Sequence, residues 1–137
     1  MRHPLHPALV HFPIACWSLA TASDLASLYF GQPAWWLAGV LMTIGLAGAI
    51  PAMIAGFVEF VRIPGDSPAI KDVNRHMGWV MAAFSLYAVS LLLRVQAMTL
   101  HEPGLVAIAF SVMGFACLGV AGWLGGKLVY GHRLGAD

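Results

Sequence analysis

Histidine is the side chain in this 137-residue sequence best suited to chemistry. A neutral imidazole offers one nitrogen lone pair to a metal ion or a haem iron while its other nitrogen donates a hydrogen bond. His3, His6 and His11 open the chain, and His76, His101 and His132 follow at wide intervals. Glu59 adds a carboxylate. Cys16 and Cys117 lie in apolar runs without CxxC spacing and read as small packing residues, so no thiol assists the imidazoles. The chain has no Ser-His-Asp order, phosphate loop or HExxH, which argues against the corresponding hydrolases and transferases.

The elements that must position these groups follow from composition. Apolar residues make up 60% of the chain and charged residues 9%, too few to coat a soluble domain of this size. Mean hydropathy is +0.80. The net charge of +1 supplies no basic field for nucleic acid. A spanning helix needs about 20 mainly apolar residues. Four stretches qualify, at about 8–30, 34–61, 74–98 and 103–130. Short connections predict antiparallel neighbours. The expected fold is therefore all-α, a single four-span membrane domain over residues 1–137 arranged as an up-down four-helix bundle. Arg2, Arg62, Lys71, Arg75, Lys127 and Arg133 fall on the side holding both termini, and only Arg94 falls toward the other. The positive-inside asymmetry places both termini in the cytoplasm.

Ionisable groups at membrane depth are costly and each needs a reason. His6, His11, Glu59, His76 and His132 gather at the cytoplasmic end of the four spans. In an up-down bundle the first and third spans are diagonal, so His11 and His76 face one another across the axis. Two imidazoles on diagonal helices suit a six-coordinate haem b, with Arg62, Arg75, Lys127 and Arg133 available to its propionates. His6 lies about 140° around the helix from His11 and is assigned to a cap, a supporting contact or a second site. His132 completes the set of candidate cofactor-binding histidines. The alternative is a non-haem zinc, iron or copper ion held by His11, His76, Glu59 and His132, in metal binding or transport. A third reading is an accessory membrane subunit without a cofactor, in which the polar cluster sets helix register.

Toward the other side, Asp24 and Arg94 lie at comparable depth and are expected to form a structural ion pair across the diagonal. Gly48, Ala52 and Gly56 on the second span, and Ala121/Gly125 and Gly122/Gly126 on the fourth, are candidates for close helix packing or for a homo-oligomer contact. Pro51 is expected to kink the second span. No internal repeat is visible.

The opening His6-Pro7-Ala8-Leu9-Val10-His11-Phe12-Pro13-Ile14 resembles the HPxxVHFPI start of a bacterial membrane family known as domain of unknown function 2231. Asp24, the acidic residue at 59, His76, Arg94 and the closing Gly125-Gly126-Lys127-Leu128-Val129-Tyr130 with His132 are similar too. Arg133 departs from the family, which usually has a glycine there. The resemblance covers nearly the whole chain and implies a four-helix bacterial inner-membrane protein with no assigned activity. It also marks His6, His11, His76 and His132 as site candidates. The expected function is that of a membrane haem-b-binding, cytochrome-like electron-transfer protein, exchanging electrons between quinol or another membrane donor and a redox protein partner.

Overall fold

The computed structural model describes residues 5–132. These form α1 (Leu5–Phe30), α2 (Gln32–Phe60), α3 (Ile70–Leu92), β1 (Val95–Gln96), β2 (Thr99–Leu100) and α4 (Leu105–His132). Arg2, His3 and Arg133 lie outside the described residues. The α1–α2 corner is a single residue. Gly31 adopts φ +63°, its N–H closes α1 on the Ser27 carbonyl at 3.0 Å, and Pro33 stands in the first turn of α2. Pro51 and Pro13 both sit inside continuous helices.

The third helix is shorter than its apolar run predicts. It stops at Leu92, and residues 95–100 form a small antiparallel hairpin, with Val95 opposite Leu100. Ala97 and Met98 take φ +47° and +60° at its tip, a conformation that two-residue hairpin turns demand and that side chains resist. Tertiary contacts hold it there. The His101 N–H donates to the Arg94 carbonyl at 2.8 Å. Leu100 fills a notch at Gly39 of α2, where a Cβ would come within 2.7 Å of its Cδ2. These contacts outweigh the hydropathy that would have carried the helix to residue 98.

α1 packs on α2 and α3 on α4, with further contacts of α1 on α4 and α2 on α3. The core gathers Trp17, Ala20, Met42, Ala49, Ala83, Tyr87 and Leu118. Burial runs opposite to that of a soluble protein. Asp24 and Arg94 are fully enclosed, whereas Phe12, Leu19, Ile54, Phe57, Leu92 and Trp123 are all more than half exposed. Apolar surface of this extent suits lipid rather than water. α2 and α4 are long and apolar enough to cross a membrane.

Although the sequence shows no evident repeat, the structure contains one. Adding 69 to the buried positions of α2 (Ala38, Gly39, Met42, Gly45, Ala49 and Ala52) gives Ala107, Ile108, Ser111, Gly114, Leu118 and Ala121, all buried on α4. Adding 70 to Pro13, Trp17, Ala20 and Asp24 gives Ala83, Tyr87, Ser90 and Arg94, again all buried. The contacts repeat as well. Trp17 packs against Gly45 as Tyr87 packs against Gly114. Few identities survive between the halves, but the register of burial does.

Candidate functional site

Three pairs join α1 to α3 and the turn that directly follows it, and in each the partners occupy equivalent positions of the two hairpins: His6 with His76, Trp17 with Tyr87, and Asp24 with Arg94. A residue meeting its own equivalent is the mark of a two-fold axis. The spacings are 11 and 7 residues on both helices, and 18 residues is five full turns, so one face of each helix carries all three groups.

At the outer layer, the His6 and His76 rings stand 6.4 Å apart between centroids, with planes at 86°. Each is fixed by a backbone carbonyl. His6 Nδ1 lies 2.8 Å from the Ala52 oxygen and His76 Nδ1 lies 2.9 Å from the Ala121 oxygen. A carbonyl only accepts, so Nδ1 carries the proton and a neutral ring leaves Nε2 with its lone pair free. Glycines make the approach possible. A Cβ at Gly56 would sit 2.8 Å from His6 Nδ1, and one at Gly125 would sit 3.3 Å from His76 Cε1. Glu59 is present on one side only, accepting the His6 backbone N–H through Oε1 at 3.2 Å. That N–H belongs to the first turn of α1, where no intrahelical acceptor exists. The equivalent residue on α4 is Leu128.

In the middle layer, Trp17 and Tyr87 stack with centroids 5.0 Å apart and planes at 13°. The Tyr87 hydroxyl donates to the Trp17 carbonyl at 3.1 Å and is 2.7 Å from Thr21 Oγ1, itself 3.0 Å from Ser111 Oγ. Trp17 Nε1 is buried without a partner among the described residues.

At the inner layer, Arg94 grips Asp24 with two parallel bonds, Nη1 to Oδ1 at 2.7 Å and Nη2 to Oδ2 at 3.0 Å. Arg94 Nε donates to the Ser90 carbonyl and Nη2 to the Ser90 hydroxyl, which in turn donates to the Ala107 carbonyl at 2.6 Å. Both charges are completely buried and well satisfied, as a bidentate pair at this depth requires.

The remaining candidates are placed elsewhere. His11 is exposed on the outward face of α1 with Phe12 and Ile14, so the partner across from His76 is His6, not His11. His132 and Lys127 converge on Asp72, at 3.0 and 2.8 Å, and Arg75 approaches it at 4.0 Å. Asp72, which the sequence reading passed over, therefore ties the start of α3 to the end of α4. Its carboxyl is held below the usual carboxylate range, first by the Lys127 hydrogen bond and then by that of His132. Arg62 is exposed. His101 is exposed beside Thr99, with Nε2 2.9 Å from the hydroxyl. Cys16 and Cys117 are free thiols.

The signal that finds His6 is its 18-residue distance to Asp24, repeated between His76 and Arg94. Among the described residues no three His, Cys, Asp or Glu side chains gather closely enough to hold an ion, and His6 and His76 stand as a pair of rings. No curated protein and no solved structure matches the chain. The family described as "Predicted membrane protein (DUF2231)" matches residues 2–137, nearly the full length, and the chain belongs to it.

Proposed function

We propose that this protein is a four-span membrane cytochrome whose His6 and His76 hold a haem b near the cytoplasmic surface, and that it passes electrons between a quinol or other membrane donor and a redox protein. The four helices form an up-down bundle crossing a bacterial inner membrane, with both termini in the cytoplasm. The observation that carries the reading is the geometry of the histidine pair. Two metal–nitrogen bonds of ~2.0–2.1 Å, each extended by about 1.1 Å to a ring centre, would let imidazoles whose centres lie roughly 6.3 Å apart share one metal. The rings lie 6.4 Å apart. Both Nδ1 atoms are engaged by carbonyls, the arrangement that orients metal-ligating imidazoles and leaves Nε2 available.

Two protein ligands are enough for haem, whose porphyrin supplies the other four. A bare zinc, iron or copper ion would need further protein ligands, and among the described residues no third His, Cys, Asp or Glu gathers with the two rings. His132 and Lys127 are engaged closely with Asp72 and Arg75 more loosely at 4.0 Å, so of the four expected propionate partners exposed Arg62 and largely exposed Arg75 would be the ones to serve. Haem would supply one-electron chemistry. The protein would orient the two ligands, exclude lipid from them and set the potential through burial and nearby charge. The test is an absorbance spectrum of detergent-purified protein with metal analysis on the same sample. A Soret band that is lost in His6→Ala and His76→Ala and kept in His11→Ala is the expected result. A colourless protein unaltered by added haemin refutes the reading, and bound metal without a porphyrin spectrum replaces it with the bare-ion alternative.

A further inference from the structure

The two hairpins, α1–α2 and α3–α4, bury equivalent positions and meet through equivalent residues. Each hairpin therefore offers nearly the same docking face. That creates an assembly problem. A face that accepts its quasi-equivalent partner within the chain also resembles the face of the identical hairpin in a second copy. α1–α2 leaves the ribosome first, so two nascent chains expose the same surface before their second hairpins exist.

The three axial layers differ in how they treat this ambiguity. The histidine layer carries the same ring on both halves, each held by an equivalent carbonyl, although Glu59 supports only the first. The aromatic layer is nearly alike on both, since Trp17 and Tyr87 are both flat and stack on one another. Neither layer tells like from unlike. The third layer does, because its equivalent positions carry opposite charges, Asp24 and Arg94, both fully buried. Pairing two α1–α2 hairpins would put two carboxylates on the axis without a cation. Pairing two α3–α4 hairpins would put two guanidiniums there without an anion. Buried like charges strongly disfavour both arrangements.

The surroundings are specialised to match. Ser90, which binds Arg94 through both its carbonyl and its hydroxyl, stands where the first hairpin has Ala20. The hydroxyl therefore belongs to the half that carries the guanidinium.

We infer that the Asp24–Arg94 bridge is the specificity determinant of an internally duplicated fold: it selects the unlike hairpin of the same chain and rejects the like hairpin of a second copy. This does not depend on what His6 and His76 bind. It also separates selection from adhesion. A buried ion pair replaced by apolar side chains often leaves a fold as stable as before, so a loss of partner choice can be read apart from a loss of stability.

The experiment uses the full-length protein with Cys16 and Cys117 changed to Ala and one thiol introduced by Ala20→Cys, a buried position beside the axis. In two like hairpins docked face to face, both copies of residue 20 lie at the interface. Membranes are treated with a thiol–thiol cross-linker about 10 Å long, one helix diameter. The parent should give little covalent dimer. Asp24→Leu with Arg94→Leu should raise the dimer at least tenfold. Asp24→Arg with Arg94→Asp, completed by Ala20→Cys/Ser90→Ala, keeps opposite charges on unlike halves and should return the yield to that of the parent. The inference is overturned if the apolar pair yields no more dimer than the parent. It is equally overturned if the apolar pair is absent from the membrane, because the bridge then holds the fold rather than choosing the partner. A charge-swapped variant that cross-links as strongly as the apolar one also overturns it.

Discussion

The two polar ends of the α1–α3 contact occupy equivalent positions and solve opposite problems. At the inner end, Asp24 and Arg94 are fully buried and grip one another through two bonds, while Ser90 accepts two more from the guanidinium. At the outer end, His6 and His76 are half-buried and spend only Nδ1 on the protein. A membrane protein tolerates polar groups at depth when they are paired. The inner pair meets that condition by itself. The outer pair is fixed through one nitrogen of each ring, and a neutral ring of that tautomer keeps the lone pair of its Nε2. The two ends therefore differ in how many of their polar atoms the fold itself uses, even though both come from the same repeat.

The largest expected effect lies at the closed end. Asp24→Ala leaves a buried guanidinium without its carboxylate and should cost about 3–5 kcal/mol, read as a lost or sharply lowered thermal transition in detergent. Arg94→Ala should cost a similar amount. If either variant unfolds within ~1 kcal/mol of the parent, the bridge is energetically equivalent to a surface pair and the contrast between the two ends collapses.

The open end should respond in the reverse manner. His6→Ala and His76→Ala each remove one hydrogen bond to a carbonyl, a net loss of about 1 kcal/mol, yet each should abolish bis-imidazole ligation. His11→Ala should change neither stability nor spectrum. Spectra of the three variants, taken beside their melting curves, separate ligand loss from unfolding. A Soret band that survives in His6→Ala but not in His11→Ala would restore the outward histidine as the ligand.

That comparison also shows what could be read from sequence. The four helices were legible, because hydropathy acts over whole segments. The face of α1 was not. A helix that is apolar all round gives no amphipathic direction, and the small residues near His11 suggested a packing face that in fact points outward. Only the polar residues carry the phase, and Asp24 gives it: His6 is five full turns away, while His11 is displaced by about 140° in the other sense. The repeat was hidden for a related reason. Close approach demands small residues at Gly45/Gly114, Ala52/Ala121 and Gly56/Gly125, whereas the intervening lipid-facing positions accept almost any apolar side chain and have diverged. The hairpin over residues 95–100 depends on Leu100 finding Gly39, a contact remote in sequence. Asp72 was overlooked because its partners Lys127 and His132 lie more than fifty residues away.

Glycines beneath the two imidazoles sharpen the comparison within the open end itself. A methyl group at Gly56 would press to 2.8 Å of His6 Nδ1, whereas one at Gly125 would stand 3.3 Å from the nearest atom of His76. The first contact demands that the ring move; the second asks for a few tenths of an ångström. Gly56→Ala should therefore cost about 1–3 kcal/mol and weaken ligand retention, and Gly125→Ala should do less on both counts. Equal effects would mean that the halves grip their histidines equally and that the tighter packing of His6 is immaterial.

The smallest effect concerns a feature that only one half has. Asp72 ties α3 to the end of α4 through Lys127 and His132, while the first hairpin is secured at the same end by Glu59 on the His6 N–H. Asp72 titrates below the ordinary carboxylate range because its partners favour the ionised form. An unfolded chain binds this proton at about pH 3.9, and the folded chain binds it only at lower pH. The tie is thus fully present above the unfolded value and is lost as pH falls through the folded one. Acidification below about pH 4 should loosen α4 at its Lys127–His132 end before it disturbs the Asp24–Arg94 layer. Hydrogen exchange at the last turns of α4 should rise over that window in the parent and be already raised, and flat with pH, in Asp72→Asn. An Asp72→Asn protein that still shows the parent's acid response would refute the assignment of that response to Asp72.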